Sequence, residues 1–192
     1  DLLDVEAIQR QLPILNPAFN VQLHMSLAST NETLMQRQHQ GSIHGEVVLA
    51  EVQTSGRGRL GRQWHSPFGQ NIALSLGWDF VGGATALEGL SLVVGLALKR
   101  ALTDLGVGLV KLKWPNDVLV DDRKLAGILL EMRGDATGPC HVVIGIGLNV
   151  HLTEHKTIDQ PWVSLKQLGY QLNRNDLVAQ TLLHLHQYLQ RF

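Results

Sequence analysis

Residues 53–66, QTSGRGRLGRQWHS, place three glycines (Gly56, Gly58, Gly61) and three arginines (Arg57, Arg59, Arg62) within seven consecutive positions. The flanking residues alternate or run apolar: VVLAEV at 47–52 and NIALSLGW at 71–78. Such patterns mark strands, so the segment reads as a loop held between two strands of an antiparallel excursion in one sheet. No acid lies between Glu51 and Asp79 to neutralise it. Crowded like charges repel until a counter-charge arrives. Glycine lets the backbone approach whatever brings that charge, and arginine is the side chain that forks onto phosphate and carboxylate. The loop is therefore read as a grip for a polyanion, mobile when empty.

Two phosphate-binding patterns share its spacing. Gly56-x-Gly58-x-x-Gly61 has the dinucleotide-binding form, with Asp79 at a suitable distance for a ribose. That motif must open a helix, and here Pro67, Gly69 and a strand follow. Gly56-x4-Gly61 has P-loop spacing, but Arg62-Gln63 replaces Lys-Ser/Thr and no helix follows. Both are rejected. A nucleic-acid grip would need a wider basic stripe and stacking aromatics. The net charge of 192 residues is −1 and aromatics are 5%.

The hydrophobic fraction is 44% and the charged fraction 17%, which describes a globular chain. Cys140 is the lone cysteine, so no internal disulfide is possible and a reducing, cytoplasmic setting is expected. The most membrane-like stretch, residues 89–98, is too short to span a bilayer.

Along the chain, residues 1–12 have helical spacing ended by Pro13, and residues 19–25 alternate as a strand. Ser29-x-x-Glu32 has the form of a capping box, predicting a helix to about Gly41 whose amino end presents Thr30 and Asn31. Residues 84–105 predict a long apolar helix, buried on most sides, with Leu87, Leu90, Val94, Leu98 and Leu102 on one face. Strands are expected at 109–112 and 118–120, a turn at Asp121-Asp122-Arg123, a returning strand at 124–132, a loop at 134–139, and a buried strand at 141–150. Gly145 and Gly147 interrupt that last strand, a mark of close approach. An asparagine-capped amphipathic helix is expected from Asn175.

Lys113-Trp114-Pro115-Asn116-Asp117 forms a second polar cluster. Pro115 restrains Trp114, and the hairpin returns Lys124 beside Asn116 and Asp117. The histidines form no metal pattern: His151 and His155 lack further ligands, and His184 and His186 face different ways on a helix.

STN (29–31), EVQTSGRGRLGRQWHSPFGQNIALSLGW (51–78), KWPNDVLVDDRKLAGILLE (113–131) and VVIGIGLNV (142–150) together resemble biotin–protein ligases, nearest to the bacterial bifunctional ligase–repressors. The resemblance implies an α/β (α+β) fold: a mixed, largely antiparallel sheet flanked by helices, class II tRNA-synthetase-like. It implies that residues 1–192 are a single catalytic domain, without the family's winged-helix DNA-binding domain or terminal β-barrel, so DNA binding is not expected. It implies ATP and biotin as substrates, with Mg²⁺ on ATP. The acceptor would be a lysine of the biotin carboxyl carrier protein of acetyl-CoA carboxylase.

By the same resemblance, Ser29, Thr30, Asn31, Gln53, Arg57, Gly58, Arg59, Lys124 and Gly127 hold biotin. Arg59, Arg62, Trp64, Asn116, Asp117 and Asn149 hold ATP or the adenylate, Asn116 and Asp117 without assigned roles. Arg57, Arg59 and Lys124 are the catalytic cations. No protein-held metal, membrane contact or general base for the acceptor lysine is expected, and an exposed strand edge is compatible with a homodimer. Two rival readings are a lipoate–protein ligase and a biotin-sensing regulatory domain without turnover.

Overall fold

In β3 (Asn71–Phe80) and β7 (Cys140–Asn149), large and small residues alternate. Ile72, Leu74, Leu76 and Trp78 stand against Ala73, Ser75 and Gly77; Ile144, Ile146 and Leu148 stand against Gly145 and Gly147. The strands pair antiparallel with Ser75 opposite Gly145 and Ala73 opposite Gly147. Because side chains alternate across a strand, one face of the sheet is aliphatic and the other is a shallow floor. β6 (Arg123–Gly134) extends that floor, with Gly127 opposite Gly147. The computed structural model describes residues 2–39, 41–83, 87–134, 138–154 and 160–192.

The remaining strands are β1 (Asn20–Leu27), β2 (Glu46–Gln53), β4 (Lys111–Lys113) and β5 (Asp117–Val120). The seven strands lie in the order β1-β2-β3-β7-β6-β5-β4. Among the described strands only β1 and β2 pair in parallel, joined by the crossover helix α2 (Thr30–Arg37). The sheet is therefore mixed and largely antiparallel, as the family resemblance implies.

Helices α3 (Leu90–Asp104) and α4 (Arg174–Leu189) contribute to the core on the aliphatic face. On the other face α2 buries Leu34 against Ile43, Val48 and Val143. Full burial of a leucine contributes roughly 1.5–3 kcal/mol, so this contact anchors the amino end of α2 beside the floor. Among the described residues, no helix is long and apolar enough to cross a membrane.

Several boundaries differ from the expectation. The first helix, α1, spans only Val5–Gln9 and starts after Asp4, whose carboxylate caps it by accepting from the Glu6 and Ala7 amides. α3 begins at Leu90, after Gly89 at φ +89°, so Leu87 precedes it; residues 84–86 lie outside the described part. It is not buried on most sides: Leu92 and Leu96 are 37% and 44% exposed, and only the stripe from Leu90 to Leu102 is covered. Leu109 sits at φ +57°, and β4 starts at Lys111. α4 begins one residue early and is capped by Asn173; the Asn175 side chain accepts from the Asp4 amide instead.

Candidate functional site

The arginine segment folds back on itself as a hairpin over the floor. Gln53 N donates to Ser66 O at 3.2 Å, Trp64 N to Gly56 O at 2.8 Å and Gly58 N to Arg62 O at 2.7 Å. Its tip, Arg59–Gly61, is a single 3₁₀ turn with Leu60 at φ +57° and 90% exposed. Gly56 has a steric reason to be glycine: a Cβ there would overlap the Trp64 carbonyl oxygen.

The hairpin seats Trp64 on the sheet. Cβ atoms at Gly127 or Gly147 would press on the Trp64 ring, and one at Gly145 would overlap the Asn31 carboxamide. The interrupted strand thus makes room for two of the residues read from the sequence as site residues.

Between hairpin and floor lies a cleft. Ser29, Thr30, Asn31, Gln53, Arg57, Gly58, Arg59, Lys124 and Gly127 all line it, with Trp64 and Asn116. Ser29 caps α2 and accepts from the Glu32 amide. At this end the polar contacts are continuous. Gln53 Oε1 accepts from Thr30 N at 2.8 Å and lies 3.2 Å from Thr30 Oγ1. Ser75 Oγ lies 2.7 Å from Thr30 Oγ1 and 2.5 Å from Asn31 Oδ1. Asn31 Nδ2 donates to Leu129 O at 3.3 Å and Glu131 Oε2 at 2.9 Å.

The cleft opens into a wider groove lined by Arg59, Arg62, Lys113, Asn116, Asp117 and Lys124 among others. A third, small hollow lies between Trp64 and Trp162 and is also lined by Gln63, His65, Asn149 and Gln160. Lys124 and Trp64 line all three spaces. Lys124 Nζ is 2.8 Å from Asp117 Oδ1 and 5.7 Å from the centre of the Trp64 ring, within cation–π range. Asn116 fastens the hairpin β4–β5 to β6: its Nδ2 donates to Ile128 O, its carbonyl accepts from Ile128 N, and its Oδ1 accepts from Arg59 at 3.2 Å.

The sequence offered no local counter-charge for the arginines, but the fold supplies one. Glu131 on β6 receives Arg57 at 3.0 Å. Arg62 makes no ion pair among the described residues. Asn149 is 4% exposed and holds structure together, donating to Val163 O at 3.2 Å while its Oδ1 accepts from Asn71. It reaches only the third hollow.

Sequence reading missed Glu131, Ser75, Trp162 and Gln160. The last two arrive because Lys124 N donates to Pro161 O and Val163 N donates to Lys124 O, both at 2.9 Å; nothing local in QPW signals that pairing. Two groups with shifted pKa lie outside the cleft lining: burial raises the Cys140 thiol, and burial, then the Arg174 guanidinium, lower His151.

Fold and site converge on one class. The chain belongs to the biotin/lipoate A/B protein ligase family, whose pattern matches residues 24–149. It is 41% identical over 194 residues to the bifunctional ligase/repressor BirA of Salmonella typhimurium, covering 100% of this chain and 59% of that protein. Identity to BirA of Escherichia coli is 42% over 167 residues, 85% of this chain and 51% of the relative. The chain thus spans between about half and three-fifths of the length of these curated relatives. Among solved structures, the biotin protein ligase from Aquifex aeolicus in complex with biotin and ATP superposes with a TM-score of 0.75 at 29% identity. The superposition covers 90% of this chain and 71% of that one.

Proposed function

We propose that this chain is an ATP-dependent biotin–protein ligase acting in the cytoplasm. In the first step, a biotin carboxylate oxygen attacks the α-phosphorus of ATP. The bond from that phosphorus to the bridging oxygen breaks, giving biotinyl-5′-AMP and pyrophosphate. In the second, the amine of a carrier-protein lysine attacks the acyl carbon, forms an amide, loses a proton to solvent and releases AMP. The acceptor is the biotin carboxyl carrier protein of acetyl-CoA carboxylase.

The observation that carries the reading is the position of Lys124. It stands where a small polar cleft, a cationic groove and a tryptophan-walled hollow meet. Biotin needs paired donors and acceptors for its urea, and the Ser29, Thr30, Asn31 and Gln53 end supplies them. Arg57 and Gly58 close that end from the hairpin, and Gly127 keeps the floor open. The biotin carboxylate then points toward Lys124 and Arg59. Arg62 reaches the phosphates, and Trp64 covers the adenylate. The adenine occupies the hollow between Trp64 and Trp162, beside Asn149.

The first step brings a carboxylate against a polyanion, so fixed cations at their meeting point lower the barrier most. Asp117 holds the Lys124 ammonium in place, and Asn116 does the same for Arg59. Mg²⁺ enters on the phosphates of ATP as part of the substrate.

A lipoate ligase would have little use for the polar wall, and a sensor without turnover would have little use for the cationic groove. The test is transfer. Incubation with ATP, biotin and carrier protein should give a carrier detected by streptavidin, dependent on ATP. ATP-dependent labelling by lipoate alone, or tight biotin binding without labelling, would move the assignment to one of the rivals.

A further inference from the structure

Two residues hold the polar end of the cleft from behind without lining it: Ser75, fully buried on β3, and Glu131 on β6. Their hydrogen bonds have only one consistent direction. Asn31 Nδ2 can only donate, and its partners, the Leu129 carbonyl and the Glu131 carboxylate, accept. The carboxamide is therefore turned with Oδ1 toward Ser75. Oδ1 can only accept, so Ser75 spends its single hydroxyl hydrogen there. The 2.7 Å contact between the Ser75 and Thr30 hydroxyls then requires the hydrogen of Thr30.

Gln53 Oε1 keeps a lone pair after accepting from the Thr30 amide and lies 3.2 Å from Thr30 Oγ1. Giving it the Thr30 hydrogen, however, would leave the two hydroxyl oxygens 2.7 Å apart with no hydrogen between them. Ser75 Oγ has no other donor among the described residues. Thr30, a residue of the cleft lining, is left with only lone pairs to offer from Oγ1.

Resting on the biotin reading above, we infer that Ser75 and Glu131 are positioning residues. Acting through Asn31, they fix Thr30 as a hydrogen-bond acceptor, and the pocket so ordered selects a ring N–H over a ring oxygen at one end of a cyclic urea. Substrate discrimination is strongest where a buried polar group would otherwise go unpaired.

The experiment is isothermal titration of the full chain with biotin and with its two cyclic-carbamate analogues, in each of which one urea N–H is replaced by oxygen. The wild type should bind biotin at least about 100-fold tighter than one of the analogues. In Ser75→Ala, Thr30 keeps only the longer 3.2 Å contact with Gln53 Oε1 and can turn its O–H toward the cleft to donate to the ring oxygen, so the preference should narrow to about tenfold or less. Glu131→Leu should narrow it in the same direction. Glu131→Gln, which still offers Asn31 an acceptor, should keep it.

Circular dichroism establishes that each variant is folded. If Ser75→Ala is not, the contrast between the two Glu131 variants decides. A wild-type preference retained in Ser75→Ala and Glu131→Leu, with biotin bound, overturns this inference alone. Failure of the wild type to bind biotin overturns the functional reading and this inference with it.

Discussion

The indole of Trp64 rests directly on Gly147: a Cβ at residue 147 would overlap Cε2, Cζ2 and Nε1 of the ring. The backbone there is ordinary strand, so alanine costs the strand nothing in φ or ψ. Its methyl group instead evicts the indole from the floor. Gly147→Ala should change the tryptophan emission spectrum and shorten retention of the adenylate at least about tenfold, a cost of roughly 1.4 kcal/mol. An unchanged spectrum with unchanged retention would show that the indole seat is dispensable.

Lys124 and Asp117 form a pair whose side chains are 14% and 23% exposed. Removing the ammonium takes away the cation at the junction of the three spaces. Loss of one such preorganised group typically lowers turnover by about 10²–10³. Lys124→Ala should therefore abolish most pyrophosphate release from biotin and ATP. Its thermal midpoint should fall only a few degrees, since the Asp117 carboxylate left behind keeps contact with solvent, which screens it. Normal turnover would remove Lys124 from the mechanism.

A fully buried ion pair lies below the site. Arg174 NH1 is 2.8 Å from Glu51 Oε2, and the two side chains are 1% and 0% exposed. Glu51 also accepts from the Leu3 amide, and Arg174 donates to Asn71 O. Removing one partner of a buried pair leaves the other charge uncompensated, at about 3–5 kcal/mol. Glu51→Leu should lose that much in urea denaturation and release the segment before α1 to early proteolysis. A loss below about 1 kcal/mol would contradict the account.

The sign of one pH effect follows from His151. Burial, and then the nearby Arg174 guanidinium, depress its folded-state pKa below the usual histidine value. The native state therefore binds fewer protons here than the unfolded chain. This contribution to stability is present above about pH 6.5 and declines as pH falls below it. His151→Asn should reduce the drop in thermal midpoint between pH 8 and pH 5.5. An identical drop in both proteins would show that the burial of His151 does not couple to folding.

What could be read from the sequence was what local chemistry writes down. Ser29 announced the start of α2. Asp121 and Asp122 announced a tight turn, and both adopt positive φ. Gly145 and Gly147 announced that something comes close, without saying that it is Asn31 and Trp64. All the residues read as biotin contacts line one cleft, because long matching blocks carry them together.

What stayed hidden depends on pairing at a distance. Glu131 meets Arg57 across 74 positions and Asn31 across 100. Arg174 meets Glu51 across 123. Neither acid stands out in its own strand, because only the register of β6 or the packing of α4 gives it a partner. The burial of α3 is overread from sequence because apolar composition cannot distinguish a leucine facing the sheet from Leu92 or Leu96 facing solvent.

The most direct test is to mix the chain with biotin and ATP, without any acceptor, and follow pyrophosphate release together with the nucleotide that stays bound after gel filtration. The account predicts about one pyrophosphate per chain and a co-eluting biotinyl-5′-AMP, retained by the wild type and not formed by Lys124→Ala. Biotin that elutes free, with no pyrophosphate released, would contradict it.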